Sequence, residues 1–153
     1  MPPPVLVDYE ASHLDALVRL WREAFEFGVG VTDPNPLAAQ RDYFVSEVLP
    51  GHRVTLALLP SGLAGFIAAS PASVAQLHVK VGLHRQGIGS QLLKLAKARS
   101  DGSLWLYAFA RNIRACRFYE KHGFVVVARG FEPTWQLDDV KYHWAADARG
   151  GTA

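Results

Sequence analysis

One stretch constrains this chain more than any other. Residues 77–93 combine the patterns of a strand, a glycine-containing turn and a helix. Leu77, Val79 and Val81 alternate with polar residues, which is typical of a strand with one buried face. From Ile88 onward the apolar residues recur at helical spacing. The first turn of a helix has unpaired N–H groups and a partial positive charge, so this arrangement is suited to binding a phosphate or pyrophosphate.

The turn between strand and helix, residues 85–89, does not match the common nucleotide-binding motifs. No Lys-Ser or Lys-Thr pair follows the glycines, as a P-loop requires. The spacing also falls short of a complete G-x-G-x-x-G dinucleotide motif. On this stretch alone, a strand-to-helix turn without any ligand is an equally good interpretation.

A second patterned segment, residues 112–124, favours the ligand-binding interpretation. Asn112 is a good N-cap for a helix, and Gly123 ends the helix as glycine commonly does. Together the two segments resemble the two signature motifs of the GCN5-related N-acetyltransferases (GNAT). The first resembles the family's Q/R-x-x-G-x-G/A motif for acyl-coenzyme A, with His84 at the usual Gln or Arg position and Arg85 beside it. The second resembles N-x-x-A-x-x-F-Y-E-K-x-G-F, and the matching residues are Asn112, Ala115, Phe118, Tyr119, Glu120, Lys121, Gly123 and Phe124.

The resemblance implies an α/β (α+β) fold with a mixed, mostly antiparallel central sheet, helices on both faces and a splayed acyl-CoA slot. The order of segments in the sequence, β-α-α-β-β-β-α-β-α-β-β, suits such a sheet. We expect one domain over residues 1–148 and a flexible tail over 149–153. The boundaries that we expect include a loop over Gly28–Pro36, a helix over Leu37–Leu49, and strands over Val74–Val81 and Phe124–Ala128.

The resemblance also implies the chemistry, which is acetyl transfer from acetyl-CoA to an amine by direct attack. Tyr119 is the implied acid for the thiolate, and a phenol is protonated at neutral pH. A core tyrosine is the alternative. His78 is a candidate base because imidazole titrates in the useful range. A hydrogen-bonded structural histidine, with a base relayed through water, is the alternative interpretation.

Coenzyme-binding residues are assigned from the two motifs and the adjoining strand. The valines are expected to act through their backbone groups, because a splayed strand leaves such groups to be satisfied. Arg85 carries a permanent charge, so we expect its loss to matter more than that of His84. The basic residues of the second helix have a solvated surface as their alternative role. The assigned residues are Val79, Lys80, Val81, His84, Arg85, Gln86, Gly87, Ile88, Gly89, Ser90, Asn112, Ala115, Phe118 and Lys121.

The acceptor amine is not specified by any motif, and it is either a small molecule or a protein. We expect its pocket between the first two helices, the loop after the first helix, and the last two strands. The aromatic candidates are Phe25, Phe27, Tyr43, Trp135 and Tyr142. The acidic candidates, which would attract a cationic amine, are Asp33, Glu132, Asp138 and Asp139.

Composition excludes several other classes of function. A formal charge of +2 over 153 residues is too small to indicate nucleic-acid binding. The single cysteine excludes an internal disulfide, and the six histidines lack zinc-site spacing, so we expect no metal. No apolar run is long enough for a membrane span, and the N-terminus lacks signal-peptide features, so we expect a cytoplasmic protein without membrane partners.

Three functions remain open after the sequence alone. The first is the acetyltransferase. The second is a coenzyme A-binding sensor or assembly module without catalysis, which would retain the glycine turn but has no need of Tyr119. The third is a structural domain that binds no nucleotide. Homodimer formation is also left open.

Overall fold

The computed structural model describes residues 2–147, and the predicted tail over residues 149–153 lies outside that range. Two antiparallel sheets form the centre of the protein. The first has the strand order β1-β2-β3-β4 and the second the order β5-β7-β6. The strands are β1 (Val5–Asp8), β2 (Arg53–Leu59), β3 (Gly62–Ala69), β4 (Val74–Val79), β5 (Ser103–Phe109), β6 (Val125–Glu132) and β7 (Leu137–Ala145).

Four α-helices cover the sheets in the described part of the chain. A 3₁₀ turn at Ala11–His13 precedes the first, and a π-helical turn at Phe44–Val48 and a 3₁₀ turn at Leu49–Gly51 follow the second. No helix within residues 2–147 combines the length and apolar character needed to cross a bilayer. The helices are α1 (Leu14–Val29), α2 (Leu37–Tyr43), α3 (Ile88–Arg99) and α4 (Ile113–Lys121).

Strands β4 and β5 touch at their beginnings and then separate. Within residues 2–147 a single bridge, Ser73 to Trp105, joins them. Directly after β4, Lys80 N donates to Ala64 O of β3 at 2.8 Å, so strand alternation directs the N–H of Val79 away from β3 and towards the gap. The splayed slot that the fold class predicts is therefore present, with backbone groups of β4 along one edge.

The core has two parts, one on each face of the sheets. On one face, α1 and the π-helical turn bury Leu17, Trp21 and Phe44 against β2 and β3. On the other, α3 and α4 pack against both sheets and bury Leu92 and Tyr119, among others. Each large side chain fully removed from water contributes about 1.5–3 kcal/mol. Helices therefore cover both faces, as predicted, and their packing keeps the two sheets in place on either side of the gap.

The loop after α1 is shorter than predicted. Helix α1 continues through Gly28 and ends at Val29, because Gly30 adopts the left-handed conformation (φ 76°) and its N–H caps Glu26 O at 2.9 Å. Gly28 instead allows close packing, since a Cβ there would lie 2.7 Å from Nδ2 of Asn112. The predicted start of the loop at Gly28 was wrong.

Three other predicted boundaries also change. The helix predicted over Leu37–Leu49 is α-helical only to Tyr43 and then widens into the π-helical turn. Strand β4 stops at Val79, two residues early, because the chain turns through Gly82 (φ 94°). Strand β6 runs to Glu132 rather than Ala128, because its pairing with β7 continues to the connecting turn.

Candidate active site

The turn before α3 exposes the start of that helix. Gly87 is the N-cap residue, in the left-handed conformation (φ 80°), and no side chain of this residue caps the first turn. A Cβ on Gly87 would meet nothing within 4 Å, so the backbone angle rather than space requires glycine there. The N–H groups at the start of α3 thus face an open surface that an anion can approach.

The second glycine of the motif has a different role. A Cβ on Gly89 would lie 3.3 Å from the ring of Phe118 and 3.5 Å from Cγ2 of Val79. Gly89 therefore brings α3, α4 and β4 close together. This packing positions Phe118, one of the predicted coenzyme-binding residues, beside the first turn of α3.

His84 and Arg85 differ sharply in their surroundings. Arg85 is exposed and holds a left-handed backbone (φ 67°) that is unfavourable for a residue with a side chain. His84 is half-buried beside Phe27 (ring centroids 5.8 Å apart), and its Nε2 is buried without a hydrogen-bond partner among the described residues. Burial, with Arg114 and Arg85 nearby, lowers the pKa of His84. A buried ring nitrogen without a protein partner can form a hydrogen bond with a water molecule or with a polar group of a ligand.

Helix α4 begins as predicted. The Oδ1 of Asn112 accepts a hydrogen bond from the N–H of Ala115 at 3.2 Å, which confirms the N-cap. The helix ends before Gly123, whose φ of 89° confirms its predicted role. Near the N-terminus of α4, the Arg114 guanidinium lies 5.2 Å from the centre of the Phe27 ring, so the end of α1 packs across this helix. Lys121 is exposed at the other end.

Tyr119 lies in the core on the α3 and α4 face. Its side chain is 8% exposed and packs against the rings of Phe124 and Tyr142, at 5.6 and 6.0 Å between centroids. The hydroxyl has no hydrogen-bond partner within residues 2–147. Burial, with a smaller effect from Cys116, raises the pKa of Tyr119, so the phenol keeps its proton at neutral pH.

His78 faces the opposite side of the first sheet. Its ring lies between Trp21 (6.2 Å) and Phe66 (5.6 Å), and its Nε2 donates to Oε1 of Gln76 at 2.8 Å. Burial lowers the pKa of His78 to about 4. The imidazole is therefore neutral at pH 7 and a weak proton acceptor. Its predicted role as a base stays a prediction.

The predicted aromatic residues of the acceptor pocket fall into separate places. Phe25 contacts the rings of Trp135 at 4.9 Å and Phe109 at 6.1 Å, and we call these three residues the aromatic cluster. Tyr43 instead contacts Trp21, and Phe27 lies beside His84. The sequence did not single out Phe109, although its place at the end of an apolar strand, just before the second motif, was a usable signal.

The fifth aromatic candidate and two of the acidic candidates have structural partners. Tyr142 is buried, and its hydroxyl donates to Oε2 of Glu120 at 2.7 Å. Asp33 forms an ion pair with Arg22 at 3.4 Å. Glu132 accepts hydrogen bonds from the backbone of the turn that follows it; burial raises the pKa of Glu132, but these bonds lower it overall. Each of these three groups therefore already has a partner within the protein, which a cationic amine would have to replace.

Within residues 2–147, no three His, Cys, Asp or Glu side chains are grouped as a metal site requires. That no metal takes part in the reaction stays a prediction. Cys116 is half-buried, and its Sγ donates to Phe109 O at 3.7 Å, which fits a packing role.

The comparison with known proteins agrees with this geometry. Residues 50–126, which include the glycine turn and α4, match the family model for the acetyltransferase (GNAT) domain. This chain belongs to the GNAT family. No curated protein matches this GNAT protein in sequence at a significant level.

Solved structures of similar fold come from several organisms. The apo form of YjaB from Escherichia coli has a TM-score of 0.75 at 18% identity, over 92% of this chain and 97% of YjaB. The PaiA N-acetyltransferase of Thermoplasma acidophilum, in complex with coenzyme A, has a TM-score of 0.75 at 19% identity, over 94% and 99% of the two chains. A GNAT acetyltransferase of Staphylococcus aureus Mu50 has a TM-score of 0.73 at 18% identity, over 93% and 98%. At these identities the likeness shows that this GNAT protein has the family fold.

Proposed function

We propose that this protein transfers an acetyl group from acetyl-CoA to an amine that attacks the thioester directly. The observation that carries the proposal is the gap between β4 and β5, bordered by the open N-terminus of α3 and by α4 with Tyr119. Membership of an acetyltransferase family and the coenzyme A complex of a similar fold support it.

The residues around the gap fit a coenzyme A molecule. The first turn of α3 would hold the pyrophosphate, and the partnerless Nε2 of His84 would meet a polar group of the coenzyme. The backbone edge of β4 at Val79 would pair with the amides of the pantetheine arm. Arg85 and Lys121 are exposed near the two motifs and would attract the phosphates.

Acetyl-CoA supplies the acyl group and a thiolate leaving group. During the reaction a C–N bond forms, the C–S bond breaks, and charge develops on the carbonyl oxygen, to which the N–H of Val79 is our proposed donor. The Tyr119 hydroxyl would donate a hydrogen bond to the departing sulfur. The ordinary pKa of a tyrosine, about 10, already exceeds the ordinary thiol value of about 8.5, and burial raises the pKa of Tyr119 further. Complete proton transfer is therefore uphill, and solvent would supply the final proton.

The amine must also lose a proton, and we assign that proton to water. An alkylammonium has a pKa of about 10, so an imidazole whose pKa burial lowers to about 4 holds the proton far less strongly than the amine. His78 would instead contribute by its fixed place between Trp21 and Phe66. The acceptor itself would lie against the aromatic cluster, where a cationic or apolar amine finds ring faces.

The experiment has two steps. Calorimetric titration with acetyl-CoA measures binding, and a panel of small amines and peptide amines is then screened for thiol release and for an acetylated product by mass spectrometry. Binding followed by an N-acetyl product supports the proposal. Binding without thiol release from any amine would favour the non-catalytic coenzyme-binding module. Absence of binding in a folded protein would leave neither function standing.

A further inference from the structure

Two polar side chains beyond the reacting centre are joined across α3 and α4. Ser90 Oγ lies 2.9 Å from Nε2 of His122, and Nδ1 of His122 lies 2.8 Å from Phe118 O. Both side chains are half-buried. His122 stands outside the matched motif positions, and its pairing with Ser90 becomes visible only in the fold.

The directions of these two hydrogen bonds are linked. A carbonyl oxygen only accepts, so Nδ1 of His122 must carry a hydrogen and donate to Phe118 O. In a neutral imidazole the other nitrogen then has no hydrogen. Nε2 must therefore accept, and the hydroxyl hydrogen of Ser90 is directed at His122.

Ser90 is the third residue of α3, within the turn that would hold the pyrophosphate. With its hydrogen directed at His122, its oxygen presents lone pairs to a phosphate, and two acceptors repel each other. When His122 is protonated, Nε2 donates to Ser90 Oγ, and the hydroxyl hydrogen becomes free to point at the phosphate. A hydrogen bond to a charged oxygen then forms, which is stronger than one between neutral groups.

We propose that Ser90 and His122 couple coenzyme binding to the uptake of a proton by His122. The inference rests on the proposed function and describes how protonation would regulate coenzyme binding at the same site. Because the complex would bind more protons than the free protein, affinity for the coenzyme rises as pH falls.

Several charged groups surround this pair, and the substitutions that test the coupling leave all of them in place. On α3, Nζ of Lys97 donates to His122 O at 2.5 Å, and Lys94 lies one turn after Ser90. Burial lowers the pKa of Lys97. On α4, Glu120 and Lys121 precede His122, and Glu120 already accepts from Tyr142. Strand β7 presents the uncharged ring of Trp144, which lies under Lys97 at 4.9 Å. A pyrophosphate thus adds negative charge to a mainly basic neighbourhood.

The test uses 3′-dephospho-CoA as the probe. Phosphate monoesters titrate near pH 6, whereas the pyrophosphate diester of this probe keeps its charge across the neutral range, so any proton taken up from the buffer on binding is bound by the protein. Calorimetry at pH 7 in buffers of different ionisation enthalpy gives the number of protons bound. We expect net uptake by the wild type and an affinity about tenfold higher at pH 6 than at pH 8, as a charge-assisted hydrogen bond supplies.

Two variants and a matched control identify the group that takes up the proton. Ser90→Ala removes the hydroxyl, and His122→Gln replaces the imidazole with an amide that can still donate to Ser90. We expect both to show little proton uptake and a flat pH dependence. His52→Gln is the control, because Nδ1 of His52 donates to Val48 O at 2.7 Å with the same four-residue spacing but no serine partner. This control should behave as the wild type does.

Each outcome has one meaning. Uptake in the wild type and its loss in the folded Ser90→Ala and His122→Gln variants support the coupling, and melting curves verify folding. Should Ser90→Ala not fold, His122→Gln alone decides. Tight binding without proton uptake, or uptake that Ser90→Ala retains in full, overturns the coupling and leaves the acetyltransferase proposal intact. A folded wild type that binds no coenzyme at any pH overturns both.

Discussion

The two sides of the gap between β4 and β5 are built from different parts of the chain. The side where we propose that the coenzyme binds, called the coenzyme side, is formed by the β4–α3 turn and α4 and relies on backbone geometry: left-handed Gly87 and the open start of α3. The side proposed for the amine, called the acceptor side, is formed by the aromatic cluster and relies on contacts between rings from α1, β5 and the β6–β7 turn. A backbone site needs particular residues at fixed spacing, whereas a cluster of side chains needs only that distant positions meet.

Charged groups show the same difference. On the coenzyme side, Arg85 and Lys121 are exposed and form none of the ion pairs seen within residues 2–147. On the acceptor side, the Asp33 carboxylate pairs with Arg22, and the Glu132 carboxylate accepts from the backbone N–H of Trp135. The side proposed for the coenzyme thus presents unpaired positive charge, while the side proposed for the acceptor presents mainly aromatic rings.

Replacement of Tyr119 by Phe should have the largest effect. If the hydroxyl assists the departing sulfur, its contribution is made in the transition state, and kcat should fall by about 10²- to 10⁴-fold with little change in coenzyme affinity. Stability should hardly change, because the hydroxyl has no hydrogen-bond partner among the described residues. The measurement is steady-state kinetics with both substrates saturating, beside a thermal melt.

Tyr142→Phe is the matched control for that change. It removes a buried hydroxyl that donates to Glu120 at 2.7 Å, so it should lower the free energy of unfolding by about 1 kcal/mol. Turnover should remain close to that of the wild type. Equal rates for Tyr119→Phe and the wild type would remove Tyr119 from the mechanism.

A negative charge introduced at position 87 should weaken binding on the coenzyme side only. Asn and Asp both tolerate the left-handed backbone of this position (φ 80°) and have nearly the same shape. Because a Cβ there meets nothing within 4 Å, both variants should fold. Gly87→Asp places a carboxylate beside the pyrophosphate, so its affinity for coenzyme A should be about 100-fold lower than that of Gly87→Asn.

Calorimetry with coenzyme A measures this difference, and high salt should reduce it because salt screens exposed charges. Similar affinities for the two variants would show that the pyrophosphate lies elsewhere.

Much of the coenzyme side could be predicted from the sequence. The N-cap of Asn112 and the helix end at Gly123 depend on local geometry, and both are confirmed. The order of strands and helices followed from periodicity, and the splay of β4 from β5 came with the family resemblance. The end of β4 at Val79 was missed because the apolar alternation continues to Val81 after pairing with β3 has stopped.

The acceptor side was harder to predict because its contacts are distant in sequence. Phe25, Phe109 and Trp135 meet only after three segments have folded together, and no spacing rule joins them. Likewise, Phe25 and Phe27 are both phenylalanines of α1 and lie only two positions apart, but Phe27 packs against His84 on the coenzyme side. A helix turns by about 100° per residue, so two positions reverse the direction of a side chain.

Replacement of Trp135 by Leu should affect the acceptor alone. The change removes a ring that contacts Phe25 at 4.9 Å, and such aromatic contacts contribute about 0.5–1.5 kcal/mol, so KM for the amine should rise up to about tenfold. The dissociation constant of acetyl-CoA should not change.

Trp105→Leu is the control of the same residue type, since Trp105 is 39% exposed and lies under Lys141 rather than in the aromatic cluster. Equal effects of the two substitutions on KM would move the acceptor pocket away from Phe25 and Trp135.

Replacement of Arg85 by Gly should have the smallest effect. It should raise the stability of the protein slightly and lower its affinity for the coenzyme. Arg85 holds a left-handed backbone (φ 67°), and glycine removes a strain of about 1–2 kcal/mol but adds freedom to the unfolded chain. The free energy of unfolding should therefore rise by no more than about 1 kcal/mol. Coenzyme affinity should fall several-fold at low salt, because an exposed positive charge is lost.

Gln136→Gly provides the comparison, since Gln136 is the other non-glycine residue with a positive φ (54°) within residues 2–147. It lies beside Trp135 on the acceptor side and carries no charge, so it should gain similar stability with coenzyme affinity unchanged. Denaturant unfolding and calorimetry at two salt concentrations measure both quantities. If the two variants changed coenzyme affinity alike, the charge of Arg85 would have no part in binding, and the side chain of His84 would be left as the one that replaces the family's Gln or Arg.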